Sequence, residues 1–126
     1  MTEKQIASVP EHLWGAGQAA RGRSWDAQYN VAAWVRISAG RGSVRLLLRY
    51  TDEQGVQQLV VDSATVSGAG TVLLSSMVSA RLHGRPTAMQ AVLVWDDPAL
   101  QYSVEELYVQ PAGQPAVRQE KLISVY

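Results

Sequence analysis

The side chains best suited to catalysis or metal binding are few, and they do not form a recognised motif. The chain has two histidines, His12 and His83, and neither is spaced with a His, Asp or Glu partner as in zinc or non-haem iron sites. Cysteine is absent, which excludes disulfides, thiolate nucleophiles and Cys-ligated zinc. The sequence also lacks a nucleophile elbow, a P-loop and a dinucleotide-binding glycine motif. We therefore predict a protein that binds a partner and is not an enzyme.

Two pairs of adjacent carboxylates are the remaining candidates for acid–base chemistry. Asp96 and Asp97 precede Pro98, which is typical of a turn, although these oxygen ligands could also contribute to a structural calcium site. Glu105 and Glu106 lie in a strand-like segment, so we expect their side chains to point to opposite faces. No other cofactor is expected. Carboxylates that meet only in space, as in a glycosidase, remain the alternative for an enzyme.

One tryptophan and three arginines are the best candidates for a binding surface. Trp34 and Arg36 are out of phase with the apolar residues of their own strand, and Arg45 and Arg49 are out of phase with those of the next. If the two strands lie in the same sheet, the four side chains form one surface. An indole stacks on sugar C–H faces, and guanidinium groups donate forked hydrogen bonds to hydroxyls or carboxylates. The alternative is that Trp34 packs under a loop and the arginines only keep the sheet soluble.

Stretches of alternating apolar and polar residues predict short β-strands, because a period of two places one row of side chains in a core. Strands are expected at Tyr29–Ile37, Val44–Tyr50, about Val56–Val61, Thr71–Leu74, Ala88–Trp95 and Tyr102–Val109. Residues 75–82 are ambiguous between strand and helix. Turn signals recur between the strands, for example at Ala39–Gly42 and Asp52–Gly55. This pattern is typical of an all-β antiparallel sandwich with little helix.

The two ends of the chain have no clear period. Residues 1–28 are expected to be irregular around one short edge strand, with Trp14 and Trp25 as anchors on the sandwich. The tail, residues 111–126, is expected to be extended, and Leu122–Tyr126 could add an edge strand or dock on a neighbouring molecule. A chain of 126 residues is the right size for a single domain with one core.

The balance of charge argues against whole classes of partner. The chain has 11 basic and 11 acidic residues, so it has no net field to attract it to nucleic acid or to an anionic membrane. No stretch approaches the roughly 18 apolar residues of a membrane span. The polar segment Met1–Pro10 lacks the pattern of a signal peptide, so we expect a cytoplasmic protein, or a secreted one if the chain is a fragment of a larger protein.

The order of the segments resembles carbohydrate-binding modules of the family 4/9/22 type, which are galactose-binding-like β-sandwiches with a jelly-roll fold. The sequence YNVAAWVRI at Tyr29–Ile37 is similar to the strand of that family that carries a tryptophan. The turn Thr51–Gly55 matches the next pair of strands. AVLVWDDPALQYSVEELYV at Ala91–Val109 looks like the closing pair. The resemblance covers about residues 29–109, most of the chain.

In that family one concave face of the sandwich binds sugars through aromatic and polar residues. The resemblance implies that Trp34 is the stacking residue of the first motif. It also implies that Glu105 and Glu106 stand in place of the acidic residues of the last motif. The predicted ligand-binding site is therefore Trp34, Arg36, Arg45, Arg49 and Glu105. The predicted partner is a glycan, bound without catalysis.

This chain departs from the family pattern in three respects. The usual opening strand is not recognisable in residues 1–28, and the tryptophan before the later strands is replaced by Val72 or Leu73. The predicted face is rich in arginine and poor in aromatic residues, which favours an acidic sugar, or no sugar at all, over a neutral glycan. The main alternative is a structural or protein-interaction jelly roll that forms a homo-oligomer, since Trp and Arg are enriched at protein interfaces.

Overall fold

The computed structural model describes residues 2–14 and 24–112, and nearly all of them form antiparallel β-strands. The strands are β1 (Thr2–Ser8), β2 (Ser24–Ala39), β3 (Arg41–Asp52), β4 (Gly55–Ser67), β5 (Gly70–His83), β6 (Ala88–Trp95) and β7 (Gln101–Pro111). A single turn of 3-10 helix, Glu11–Leu13, follows β1. The structure thus confirms the predicted all-β fold.

The strands form two sheets that pack against each other as a sandwich. The four-stranded sheet has the order β1-β6-β3-β4, and the three-stranded sheet has the order β5-β2-β7. Alternation along β2 shows how the sandwich forms, because Val31, Ala33, Val35 and Ile37 are buried while Trp34 is 41% exposed.

Leucine and valine make up most of the core, and alanine, isoleucine, tyrosine, methionine and tryptophan supply the rest, because the chain has no phenylalanine. The largest fully buried aliphatic side chains are Ile37, Leu46, Leu48, Leu74, Leu82, Met89, Leu93 and Leu107. Burial of each of these side chains stabilises the fold by about 1.5–3 kcal/mol.

The N-terminal segment is more regular than predicted. β1 pairs with β6 and contributes Ile6 and Ala7 to the core, although Thr2–Gln5 are exposed. A polar edge strand of this kind has no apolar alternation, and for that reason its sequence gives a weak signal. The region around residues 75–82 is likewise strand, since it belongs to β5 and pairs with β2 over its whole length.

The two predicted anchors are confirmed. The indole N–H of Trp14 donates to the Val9 carbonyl at 2.9 Å, and that of Trp25 donates to the Gly84 carbonyl at 2.9 Å. Both rings are partly buried against the core. The two tryptophans therefore hold the beginning and the end of the segment between β1 and β2.

Five of the six connections join strands of different sheets: β1 to β2, β2 to β3, β4 to β5, β5 to β6, and β6 to β7. The Gly68 N–H donates to the Gly40 carbonyl at 2.9 Å, so the crossings from β2 to β3 and from β4 to β5 lie side by side. Gly40 has φ +114°, and a Cβ there would lie 2.8 Å from the Cα of Leu100, so only glycine fits. The segment Ala39–Gly42, expected to be a hairpin turn, is therefore a sheet crossing.

Asp96 and Asp97 fix this crossing by binding main-chain amides. The Asp96 carboxylate accepts from the Ser43 N–H at 3.0 Å, and that of Asp97 accepts from Ala99 at 2.9 Å and Arg41 at 3.1 Å. The hydrogen bonds from these main-chain N–H groups lower the pKa of Asp97, and the one from Ala99 has the largest effect. The interpretation of the pair as turn-forming residues is confirmed.

The free edge of β5 is capped by side chains of the other sheet. The Asp62 carboxylate accepts from the Ser75 N–H at 3.0 Å and from the Ser63 N–H at 2.8 Å, and the Tyr50 hydroxyl donates to the Arg81 carbonyl at 2.9 Å. An edge whose main-chain groups have partners is a poor template for pairing with another chain.

Replacing Asp62 with alanine is expected to lower the free energy of unfolding by about 1–2 kcal/mol, because two edge N–H groups lose their acceptor. Asp62→Asn retains one acceptor oxygen and should lose about half as much. Urea denaturation of the three proteins measures the effect. Equal stability of Asp62→Ala and the wild type would show that water replaces the carboxylate at no cost.

Candidate functional site

The five predicted site residues lie on two opposite faces of the sandwich. Trp34 and Arg36 are in β2, at the centre of the three-stranded sheet, whereas Arg45 and Arg49 are in β3, in the four-stranded sheet. Their side chains alternate with core residues and so point away from the opposite sheet in each case. The expectation that one surface contains all four is wrong. Its premise, that the two consecutive strands share a sheet, fails at the crossing near Gly40.

Arg49 has a structural role on the outer face of the four-stranded sheet. Its guanidinium lies 2.7 Å from Glu3 of β1 and 3.1 Å from the amide oxygen of Gln58 of β4. The hydrogen bond from Arg49 lowers the pKa of Glu3. This chain of side chains spans a small apolar cluster on the same face, formed by Leu47, Val92 and Val94.

Arg45 is exposed on that same outer face, far from Trp34 in the fold. It lines a small cavity of about 50 Å³ together with Ser43, Val94, Trp95 and Asp96. A cavity of this size has room for little more than a water molecule. Neither Arg45 nor Arg49 therefore belongs to the surface around Trp34.

The structure does bring Trp34, Arg36 and Glu105 together. Arg36 Nε lies 3.0 Å from Glu105 Oε1, with side chains 67% and 38% exposed. The pairing of β2 with β7 shifts between Trp34 and Val35, so that Trp34 is opposite Glu106 and Val35 is opposite Val104. Glu105 is the extra residue of this β-bulge.

The bulge changes the direction of the two adjacent glutamates. Val104 and Leu107 are both buried, so the inward residues of β7 are three apart at this point and Glu105 and Glu106 both lie outside the core. The expectation that the pair points to opposite faces is wrong, because regular alternation does not hold across a bulge. The Glu106 carboxylate accepts a hydrogen bond of 2.8 Å from the Tyr108 hydroxyl.

A shallow groove of about 520 Å³ lies next to Trp34 on the outer face of the three-stranded sheet. Ala32 is at its centre, opposite Ser75 of β5 and Tyr108 of β7. The remaining lining residues are Asn30, Val31, Ser76, Met77 and Gln110. Because Ala32 and Ser75 are small, the sheet surface is low between the bulkier side chains on either side.

Trp34 forms one border of this groove. It is two residues from Ala32 along β2, so both side chains are on the same face. Its direct neighbours across the strands are Leu73 on one side and Glu106 on the other. Trp34 and Leu73 are 41% and 42% exposed, so part of the indole is accessible to solvent.

Sequence reasoning missed most of the groove. Asn30 and Ala32 have the same phase as Trp34 and could have been found by extending the alternation toward the N-terminus. Met77 lies in the stretch whose secondary structure was ambiguous. The bulge in β7 moves Tyr108 and Gln110 to the outer face, and no local sequence pattern predicts this bulge.

The groove face has a nearly balanced charge. Arg36 pairs with Glu105, and Arg81 lies 3.4 Å from Asp26 at the far end of the face. Glu106 lies on the same face and accepts a hydrogen bond from the Tyr108 hydroxyl. A polyanionic ligand would therefore find no net attraction here.

The second polar cluster is at the end of the sandwich that carries the β3–β4 turn. His83 is partly buried, and its Nδ1 lies 3.2 Å from the Asp52 carboxylate. The Asp52 side chain is inaccessible to solvent and also accepts from the N–H groups of Gln54 and His83. The cluster therefore links the β3–β4 turn to the end of β5.

Three observations limit the chemistry of the described residues, 2–14 and 24–112. No three His, Asp or Glu side chains among them converge on a point where a metal ion could bind. None of their helices is long and apolar enough to cross a membrane. Their buried polar side-chain atoms all have hydrogen-bond partners.

Comparison with known proteins adds no further evidence about function. No protein-family model, no curated protein and no solved structure matches the chain.

Proposed function

We propose that this protein is a non-catalytic carbohydrate-binding module whose ligand lies in the groove beside Trp34. The observation that supports this most strongly is an exposed indole at the border of a groove lined by amide and hydroxyl groups. Asn30 and Gln110 supply amides, Ser75 supplies a hydroxyl, and Tyr108 adds a second aromatic ring. This combination of a flat apolar surface and uncharged donors and acceptors suits a sugar ring.

The balanced charge of this face favours a neutral glycan over the acidic sugar suggested by the arginine-rich sequence. Of the three arginines expected to bind an acidic group, Arg45 and Arg49 are on the other side of the sandwich, and Arg36 is paired with Glu105. The Arg36–Glu105 pair then contributes hydrogen bonds at the border of the groove. A small, open and polar site of this kind is expected to have micromolar to millimolar affinity.

The second candidate is self-association as a structural module. It is supported by Val56 and Val60, which are 66% and 55% exposed on β4. The capped edge of β5 and the bulge in β7 disfavour edge-to-edge pairing of the three-stranded sheet, and the two exposed valines favour an interface on the four-stranded sheet. Light scattering separates the candidates, because a stable oligomer of the free protein supports this alternative and a monomer supports the ligand binder.

A glycan array probed with the wild type and with Ala32→Leu tests the binding function. Leucine at position 32 adds bulk at the centre of the groove, on the outer face, so it should abolish binding without unfolding the sandwich. Val60→Leu, on the opposite face, is the matched control and should bind as the wild type does. The proposal is wrong if the wild type binds no glycan, or if Ala32→Leu binds as well as the wild type.

A further inference from the structure

We infer that the ligand of the groove is a sugar joined to an alkyl chain, and that this chain leaves the groove over Ser75 at the edge of the three-stranded sheet. The inference rests on the proposed function, since it assigns a ligand class to the same groove. It goes further because it gives a separate role to the aliphatic side chains of β5. The observation that carries it is the unequal polarity of the two ends of the groove.

The end of the groove on β7 is lined by hydrogen-bonding side chains. Glu106, Tyr108 and Gln110 occupy alternate positions on the outer face of this strand. The Tyr108 hydroxyl donates to the Glu106 carboxylate at 2.8 Å, so the Tyr108 ring lies along β7 and borders this end. Trp34 is the cross-strand neighbour of Glu106, which places the indole beside the same polar groups. The sugar ring therefore fits the β7 end, next to Trp34.

The end of the groove on β5 is aliphatic. Leu73 and Met77 are 42% and 61% exposed and lie on the outer face, on either side of Ser75 along the strand. Because the serine side chain is small, the surface between the two aliphatic side chains is low. β5 is at the edge of the described sheet, and the edge strand predicted at Leu122–Tyr126 lies outside the described residues. The groove thus has an apolar exit between Leu73 and Met77.

An alkyl chain fits this exit better than a second sugar does. Contact with the chain removes the two aliphatic side chains from water, which is favourable in proportion to the apolar area that is buried. A second sugar would place hydroxyl groups against Leu73 and Met77, and a hydroxyl that loses water without gaining a new hydrogen bond costs free energy. The methionine side chain is flexible and adapts to an aliphatic partner. The two ends of the groove therefore suit a ligand with one polar and one apolar end.

Matched pairs of n-octyl and methyl pyranosides of glucose, galactose and mannose test the inference. Their affinities are measured by calorimetric titration below the critical micelle concentration. For a sugar that binds, the octyl form should bind roughly tenfold more tightly than the methyl form, or better, because at least two CH₂ groups of the chain are buried.

Leu73→Thr combined with Met77→Thr removes the aliphatic pair with residues that suit an exposed strand. The preference of this variant for the octyl form over the methyl form should fall to about twofold or less, because the chain then has no apolar contact at the exit. Val56→Thr combined with Val60→Thr makes the same kind of change on the opposite face. It is the matched control and should keep the full preference.

Octyl tetraethylene glycol has the same chain on a head group that is not a sugar, so it measures adhesion of the chain alone. It should bind more weakly than the preferred octyl pyranoside, and equal affinity would overturn the inference. Three other results would also overturn it: equal affinity for octyl and methyl forms, a preference that survives in Leu73→Thr with Met77→Thr, or binding of no octyl pyranoside. In each case the proposed function stands if a glycan binds on the array. If no glycan binds there, the proposed function fails and this inference fails with it.

Discussion

Replacing Asp52 with alanine is expected to lower the free energy of unfolding by about 2–4 kcal/mol at neutral pH. The carboxylate is inaccessible to solvent and accepts three hydrogen bonds, from the Gln54 N–H at 2.8 Å, the His83 N–H at 2.9 Å and the His83 ring at 3.2 Å. Alanine leaves all three donors without this acceptor. It also releases the β3–β4 turn from the loop after β5.

The pH dependence of this effect follows from the pKa of the carboxyl. Burial raises the pKa of Asp52, but the hydrogen bonds from Gln54 and His83 outweigh burial and hold the pKa below its ordinary value. A carboxyl whose pKa is lower in the folded state stabilises fully above its unfolded pKa, about 3.9. That stabilisation is lost as the pH falls through the folded pKa.

Urea denaturation at a series of pH values measures both effects. The difference between wild type and Asp52→Ala should be constant from pH 7 to about 5 and should shrink below about pH 4. Asp26→Asn is the matched control, because Asp26 is exposed and its contact with Arg81 is 3.4 Å long. It should change stability by less than about 0.5 kcal/mol. A difference for Asp52→Ala that persists undiminished at the lowest pH would contradict the role assigned to the charge.

Local patterns in the sequence predicted the strands well wherever one face is buried. The alternation from Tyr29 to Ile37 coincides with the buried residues of β2, and the turn at Asp52–Gly55 joins β3 to β4 as expected. A strand with one apolar row has a period that any reader of the sequence can detect. One short edge strand was expected in residues 1–28, but β1 could not be located within them because the exposed residues Thr2–Gln5 are all polar.

The membership of the two sheets could not be predicted in the same way. A glycine-rich connection such as Ala39–Gly42 has the same sequence pattern whether the two strands that it joins pair in one sheet or belong to different sheets. What decides the path is distant in sequence, since Asp96 and Asp97 bind the amides of Ser43 and Arg41. The site prediction failed at this step, and two of its arginines were assigned to the wrong face.

The bulge in β7 caused the second error, and it shows why the candidate site is larger than predicted. Val104 and Leu107 are consecutive inward residues of β7, and two residues, Glu105 and Glu106, lie between them where regular alternation has one. Nothing in the sequence of these two glutamates indicates the extra residue. The shift turns Tyr108 and Gln110 toward the groove beside Ala32. Regular alternation counted from the inward residue Tyr102 would place Tyr108 on the core side. Only the extra residue at the bulge turns Tyr108 to the outer face.

Replacing Trp34 with alanine is expected to weaken glycan binding by about 2–3 kcal/mol, or roughly 30- to 160-fold in Kd. Under the proposed function, a sugar ring would stack on the exposed part of the indole beside the groove. Stability should change by less than about 1 kcal/mol, because Trp34 contacts mainly its cross-strand neighbours Leu73 and Glu106. Calorimetric titration with a glycan found by array screening, and thermal unfolding, measure the two effects.

Arg45→Ala is the matched control for this experiment, because it removes a long exposed side chain from the opposite face of the sandwich. It should bind as the wild type does. Equal losses in Trp34→Ala and Arg45→Ala would mean that the ligand is not confined to the groove face. A Trp34→Ala protein that unfolds would assign the indole to the stability of the sheet instead. Loss of binding in a folded Trp34→Ala, with binding by Arg45→Ala unchanged, supports a ligand on the groove face, because the two substitutions lie on opposite faces of the sandwich.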